Sequence, residues 1–341
     1  MWRYFVRKLN LLVITVLLLT LLSFWLLHLI PGGPMQALDP QGTLNLLEQQ
    51  KLRDLYGLDQ GFWAQYWHYL NNILDGNWGV SRVDQTPISE KMVSTFLATL
   101  QLTLAAMIIA IVVGVPLGIL SAVKYGSFLD RSIIGINLIG QSVPIFWWAM
   151  MLILIFALGL QWFPISGRIG LLFDVPEHTH IILLDIFLSD IPARDEALMS
   201  ALRHLTLPTI AVAVMPTTLM AQFTRASLLD IFDQNYIQAA RAKGLSSWHV
   251  LVRHALPNFF SSFVRQLGAL ANPLLTGTMI VEVIFSWPGS GRWLIHSLLA
   301  RDVPSIQACM LMISVSVICI SIFTDLIAAW SNPKERNQPH G

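Results

Sequence analysis

The sequence predicts an all-α protein that crosses a membrane six times. Hydrophobic residues make up 55% of its 341 positions and charged ones only 12%, against roughly a quarter charged in soluble domains. Six apolar runs, at about 9–30, 98–122, 133–160, 204–224, 262–285 and 306–330, are each long enough to span a bilayer. Polar residues collect between the runs. The chain therefore reads as one transmembrane domain over 1–341, with a large outer loop at 31–97, a second at 161–203 and a polar loop at 225–261.

The first run follows Arg3, Arg7 and Lys8 but is too long for a signal-peptide core. Pro31-Gly32-Gly33-Pro34 is no small-residue cleavage site, so this run reads as a retained anchor. Orientation follows from Lys and Arg. With the amino terminus inside, the inner pieces (1–8, 123–131, 225–261, 331–341) hold eleven in 65 residues, and the outer pieces hold nine in 130. Both termini and the 225–261 loop are thus predicted to be cytoplasmic.

Polar and helix-breaking residues inside spans are costly in lipid and mark a cavity or a helix neighbour. They are Gln141, Ser142 and Pro144 in the third run, and Pro216, Thr217, Thr218 and Gln222 in the fourth. The fifth holds Asn272, Pro273, Thr276, Thr278 and Glu282. Helix–helix contact competes with a pathway role at each. Glu282 reads as snorkelling near a span end, and His28 as interfacial. Cys309 and Cys319, ten residues apart on one helix, are about 15 Å apart and too far for a disulfide.

Within the polar loop, Gln238-Ala239-Ala240-Arg241-Ala242-Lys243-Gly244 precedes Leu256-Pro257 by a fixed interval. The residues before Gly244 form helices well, with Asp233 or Asn235 as N-cap and Gly244 at the left-handed position that ends the helix. Ser246 or Ser247 can cap a second short helix, and Pro257 marks its far end or a kink. The alanine pair is expected on one face of a basic knob offered to a soluble partner.

No G-x-x-x-x-G-K-[ST] occurs, so the chain has no phosphate-cradling P-loop. H-E-x-x-H and G-x-S-x-G are also missing, which removes protease and hydrolase readings. His178-Thr179-His180, with Asp174, Glu177 and Asp185, reads as a solvated loop in preference to a metal site. The net charge of +1 gives no argument for nucleic acid.

The loop resembles the E-A-A, three residues, G, nine residues, I, one residue, L-P pattern of ABC-importer permeases. Ala239, Ala240, Gly244, Leu256 and Pro257 match, while Gln238 replaces the acid and His254 the isoleucine. Further segments are similar to the dipeptide, oligopeptide and nickel branch: Ile30-Pro31-Gly32-Gly33-Pro34, Gly76-Asn77-Trp78-Gly79-Val80-Ser81, Pro164-Ile165-Ser166-Gly167-Arg168 and Phe285-Ser286-Trp287-Pro288-Gly289-Ser290-Gly291. Asp185–Asp190, Arg194-Asp195-Glu196 and Met199–His204 resemble the SapB type of peptide permease, associated with antimicrobial-peptide resistance. Asn332-Pro333-Lys334 stands where D-P-R is usual. The outer motifs read as turns that also line an outer gate, with Trp287 and Trp293 as interfacial aromatics.

The resemblance implies a type I importer half with the MetI-like fold. It would pair with a second homologous permease, two ABC ATPase subunits that carry ATP and Mg²⁺, and a periplasmic substrate-binding protein, in the inner membrane. Coupling to the ATPases would fall to Tyr236, Gln238, Ala239, Ala240, Arg241, Lys243, Gly244, Leu245, Leu256 and Pro257. The missing acid at Gln238 would shift coupling toward shape. The chain itself would catalyse nothing. Cationic peptides, dipeptides, haem and a polyamine such as putrescine stay open as substrates, and so does export. Two other classes compete: an ion-coupled secondary transporter using Glu282 and Asp325, and a scaffold whose basic loop binds a cytosolic protein.

Overall fold

The computed structural model describes residues 2–29, 33–38, 42 and 45–331. They form helices α1 (Trp2–Leu29), α2 (Gly33–Leu38), α3 (Leu46–Tyr56), α4 (Phe62–Leu74), α5 (Ile88–Val123), α6 (Phe128–Ser142) and α7 (Ile145–Gly159). After these come α8 (Ile182–Leu188), α9 (Arg194–Phe232), α10 (Asn235–Ala242), α11 (Ser247–Ile284), α12 (Ser290–Ala300) and α13 (Val303–Ser331). No strand occurs among the described residues; Val80 and Pro87 make a lone antiparallel bridge. Ile30–Gly32 and Asn332–Lys334 of the sequence motifs lie outside the described residues.

Among the described residues five helices (α1, α5, α9, α11 and α13) are long and apolar enough to cross a membrane, and α6 with α7 makes a sixth if taken as one bent span. The span expected at 133–160, with the helix-breaking Pro144 inside it, is bent by 99° between Ser142 and Ile145. Val143 adopts an extended conformation (φ −93°, ψ 127°), as a residue ahead of proline prefers, and Pro144 then caps α7.

Two other prolines are absorbed without a break. Widened π turns at Ala110–Gly114 and Leu251–Ala255 each end two residues before a proline, Pro116 and Pro257. A proline lacks its N–H and crowds the carbonyl four residues back, and a π turn displaces that carbonyl. Pro257 therefore does not end the second loop helix, which runs on as α11 to Ile284.

Chain packing divides the molecule into two compact units. One comprises residues up to Ala98 together with Pro288–Cys319. There the ring of Phe24 on α1 lies 5.3–5.6 Å from those of Phe62, Tyr66 and Tyr69 on α4. His28, read as interfacial, is half-buried against Phe24 and Phe62 and bonds Gln65 Oε1 at 3.1 Å. The buried Asp302 carboxylate accepts from Ser81 Oγ (2.7 Å), the Arg82 amide (3.2 Å) and Ser305 Oγ (2.7 Å). That explains Ser81 in the outer-loop motif: its hydroxyl fixes the turn to the start of α13. Trp293 is buried with Ile88, Ala308 and Cys309; burial in its own unit replaces the expected interfacial position.

The second unit comprises Thr99–Trp287 and the chain from Ile320. Its axis is α9, which packs against the last third of α5 and against α6, α7 and α11. Close approach there depends on glycine. A Cβ on Gly114 would fall 2.6 Å from the Thr217 carbonyl oxygen, one on Gly118 2.5 Å from that of Ala221, and one on Gly140 2.6 Å from Thr218 Cγ2. Spacing of four residues between small side chains is what lets two membrane helices meet backbone to backbone.

The α5–α6 turn is tied to α9 by a bidentate ion pair. Arg225 Nε and Nη2 donate to the two oxygens of the buried Asp130 carboxylate at 2.8 and 3.0 Å. Ser121 Oγ and the Gly126 amide donate to the same carboxylate.

Candidate functional site

The 233–257 loop folds as the helix–turn–helix its sequence suggested, with corrections. The N-cap of α10 is Gln234, not Asp233 or Asn235, and its side chain makes no cap bond. At the other end the Gly244 amide bonds Arg241 O (2.9 Å) and the Leu245 amide bonds Ala240 O (3.3 Å). This pair of bonds is the Schellman arrangement, and it needs a left-handed residue at Gly244, whose φ is +81°. Of the two candidate serines, Ser246 is the cap of α11, accepting from the His249 amide at 3.3 Å.

The alanine pair does not share a face. Ala240 is buried with Ile237 and Val250 against Ile231 and Phe232, whereas Ala239 is exposed. Successive helix residues are about 100° apart, so one can face in and the next out. Gln238 is exposed and donates through Nε2 to Asp233 O at 3.1 Å. The Arg241 guanidinium lies 5.3 Å over the Phe232 ring. Tyr236, Lys243 and Leu245 are exposed, Leu256 is half-buried among Leu251 and Phe259, and Pro257 is exposed. Trp248, which sequence reasoning left out, is 73% exposed beside them. The knob is thus a small apolar core carrying a basic, aromatic outer surface.

Three prolines of the spans, Pro144, Pro216 and Pro273, converge on a cavity of about 210 Å³. Its walls include Gln141, Pro144, Trp148, Met215, Pro216, Pro273 and Gly277. Gln141 is the one expected polar pathway side chain among the lining residues, beside the expected Pro144, Pro216 and Pro273. Its Nε2 and the Trp148 Nε1 are buried without a hydrogen-bond partner. Trp148, Met215 and Gly277 were missed; nothing in an apolar run separates a cavity wall from a lipid face.

The other pathway candidates are placed differently. Ser142, Thr218, Thr276 and Thr278 donate to carbonyls three or four residues back on their own helices. Thr217 and Gln222 are half-buried on α9. Asn272 is half-buried with its Oδ1 unpartnered. Glu282 does not snorkel: it is fully buried and accepts from Thr99 Oγ1 at 2.6 Å.

The outer motifs at 164–168 and 285–287 are joined. The Gly167 amide, at φ +95°, donates to Phe285 O at 2.9 Å, and Trp287 is fully buried where an interfacial aromatic was expected. Arg168 donates to the His180 carbonyl and to Gln101 Oε1 (3.4 Å). Burial pushes the Arg168 pKa down, partly offset by Glu177 and Asp185. The His178–His180 loop is not freely solvated. The buried Asp185 carboxylate accepts from the amides of His178 and Thr179 and from the Thr179 hydroxyl at 2.7 Å. No cluster able to hold a metal occurs among the described residues. Of the cysteines, Cys309 is buried and Cys319 is exposed, and they form no disulfide with each other.

Residues 114–337 match the family of the binding-protein-dependent transport system inner membrane component, and residues 1–103 match the N-terminal region of such membrane components. The dipeptide transport system permease protein DppB of Escherichia coli K12 is 37% identical over 341 residues, 99% of this chain and all of that protein. The peptide transport system permease protein SapB of Salmonella typhimurium is 36% identical over 332 residues, 97% of each chain. The SapB of Escherichia coli K12, named a putrescine export system permease protein, is 35% identical over the same length. Inward-facing structures of the MetNI methionine ABC transporter share the fold, with TM-scores of 0.54 and 0.56 at 16% identity, covering 72% of this chain and 98% of theirs. Full-length relatedness to ABC-transporter permeases disfavours the ion-coupled and scaffold readings. The chain is an integral inner-membrane permease subunit of ABC transporters, non-catalytic itself, and belongs to the binding-protein-dependent transport system inner membrane component family.

Proposed function

We propose that this permease moves short peptides across the inner membrane as half of a translocation unit, with both termini and the 233–257 knob in the cytoplasm. It pairs with a second homologous permease, two ATPase subunits that bind ATP and Mg²⁺, and a periplasmic binding protein. The knob carries the reading: a basic, aromatic surface on a small rigid core, joined directly to α11 by an unbroken helix. Tyr236, Gln238, Ala239, Arg241, Lys243, Leu245 and Trp248 contact the ATPase, and Ala240, Gly244, Leu256 and Pro257 hold the shape. Nucleotide and substrate then bias one equilibrium between inward and outward openings. Gln141, Ser142, Thr217, Thr218, Gln222, Asn272, Thr276, Thr278 and Glu282 are proposed as pathway or gate residues, with Gln141 foremost because it lines the cavity. Full-length likeness to dipeptide and peptide permeases supports the substrate class.

The test is uptake of a labelled dipeptide by proteoliposomes holding the complete complex. Expected is ATP-dependent uptake that requires the loaded binding protein. A complex that hydrolyses ATP but moves no peptide overturns the substrate class. Reporter fusions after Gly126 and Leu245 should read cytoplasmic, and those near Asn71 and Glu177 periplasmic. A periplasmic reading at Leu245 removes the coupling role.

A further inference from the structure

We infer that the proline-lined cavity is a subsite for one uncharged peptide unit bearing an apolar side chain. This rests on the peptide reading above and sharpens it. Two donors in the wall, Gln141 Nε2 and Trp148 Nε1, are buried and unpartnered. One acceptor of a lining residue is released by sequence: Pro216 has no N–H to offer the Val212 carbonyl. Val212 itself lines the cavity. An N–H donor and a carbonyl acceptor set in an otherwise apolar wall are the complement of a peptide group, which presents one of each.

Charge decides against the alternatives. No Asp, Glu, Lys, Arg or His lines the cavity among the described residues. An ammonium or a diamine moved into such a wall would lose its hydration and gain no counter-charge. Leu219, Leu270 and Leu274 supply aliphatic surface for a side chain of the same kind. Size limits the occupant. The volume of about 210 Å³ far exceeds the roughly 10–15 Å³ that one water needs, and lies below the roughly 300 Å³ at which drug-sized pockets begin. One residue with its flanking peptide group fits.

Gly277 gives a clean way to fill the space. A Cβ there would meet only Ile145 Cδ1, at 4.0 Å, so the first atom of an added side chain enters the cavity without a clash. The experiment uses the complete transporter in proteoliposomes with trileucine, whose middle residue carries no charge, as probe, and compares each variant with wild type. Gln141→Leu combined with Trp148→Phe removes both donors and keeps the bulk; uptake should fall about tenfold, the usual order for unpaired buried hydrogen bonds. Hydrolysis stimulated by the binding protein should persist, which reports intact assembly. Gly277→Phe should abolish uptake while Gly277→Ala does not, and this pair carries the test if the double variant fails to assemble. Wild-type uptake with near-wild-type rates in the double variant and in Gly277→Phe overturns the subsite and leaves the peptide reading standing. A wild-type complex that moves putrescine but no peptide overturns both.

Discussion

At Gly118 an added Cβ would fall 2.5 Å from the Ala221 carbonyl oxygen, whereas at Gly244 it would meet nothing within 4 Å. Gly118 is helical and lies in a sealed seam; Gly244 has φ +81° and lies in the open. The first glycine is needed for space and the second for conformation. The difference follows from surroundings. In the seam of α5, α6 and α9, backbones approach until no side chain fits, and Asp130 and Arg225 lock the nearby turn. In the loop, a helix must stop abruptly and a second must leave at a set angle, with solvent on the outside. One region is built to hold still and the other to present a shape.

The largest effect expected is at the seam. Gly118→Leu should leave no folded protein recoverable in detergent, because the first side-chain atom already overlaps the Ala221 carbonyl and Thr224 Cβ. Gly118→Ala is the graded version, with an overpacking cost of about 1–3 kcal/mol that should lower the thermal midpoint measured by fluorescence-detected gel filtration. Gly244→Ala makes the same chemical change in open space, where its cost is the left-handed strain of an added Cβ, about 1–2 kcal/mol, and should shift that midpoint less. Equal shifts at the two sites would erase the distinction.

Asp130→Asn should come next. The wild-type carboxylate accepts on both oxygens, from Arg225 Nε and Ser121 on one and from Arg225 Nη2 and Gly126 on the other. Whichever way an asparagine amide lies, its NH₂ faces at least one of these donors. Breaking a buried pair costs about 3–5 kcal/mol; because the Arg225 side chain keeps 22% of its exposure, about 2 kcal/mol is expected here. The readout is faster proteolysis between Lys124 and Leu129 along with a lower thermal midpoint. Unchanged cleavage would mean that the turn is held by its own backbone bonds.

The two regions were unequally legible in the sequence. Gly244 stood out because good helix formers precede it and a capping serine follows, and both signals are local. The seam also carries a local pattern, Gly114-x-x-x-Gly118, yet its partner on α9 is about a hundred residues away and cannot be named from one chain. Hydropathy placed the spans but ran unbroken through Val143-Pro144, so the break in α6–α7 was hidden by the very signal that found the span. Glu282 and Trp287 were read as interfacial because charged and aromatic residues near span ends usually are. Tertiary burial overrode that habit at both. The cavity had only Gln141 and its prolines to announce it, since the rest of its wall is ordinary apolar residues drawn from four helices.

The smallest structural effect, and the most specific functional one, is expected from paired changes at Gly244. A residue with φ of +81° is strained when it carries a β-branched side chain, by about 1–2 kcal/mol. Gly244→Val should relax that strain by reopening the bonds from the Gly244 and Leu245 amides to Arg241 O and Ala240 O, and α11 would then leave the knob at another angle. Asparagine tolerates the left-handed region, so Gly244→Asn should keep both bonds. Each variant adds a side chain into empty space, so neither bulk nor lost flexibility distinguishes them. Both should insert and purify like wild type. In the reconstituted complex, Gly244→Val should hydrolyse ATP without moving peptide or should release the ATPases, while Gly244→Asn retains most uptake. Equal, near-wild-type uptake by the two would show that the turn angle at Gly244 does not transmit the ATPase stroke, and that coupling rests on the exposed surface of Tyr236, Arg241 and Trp248 instead.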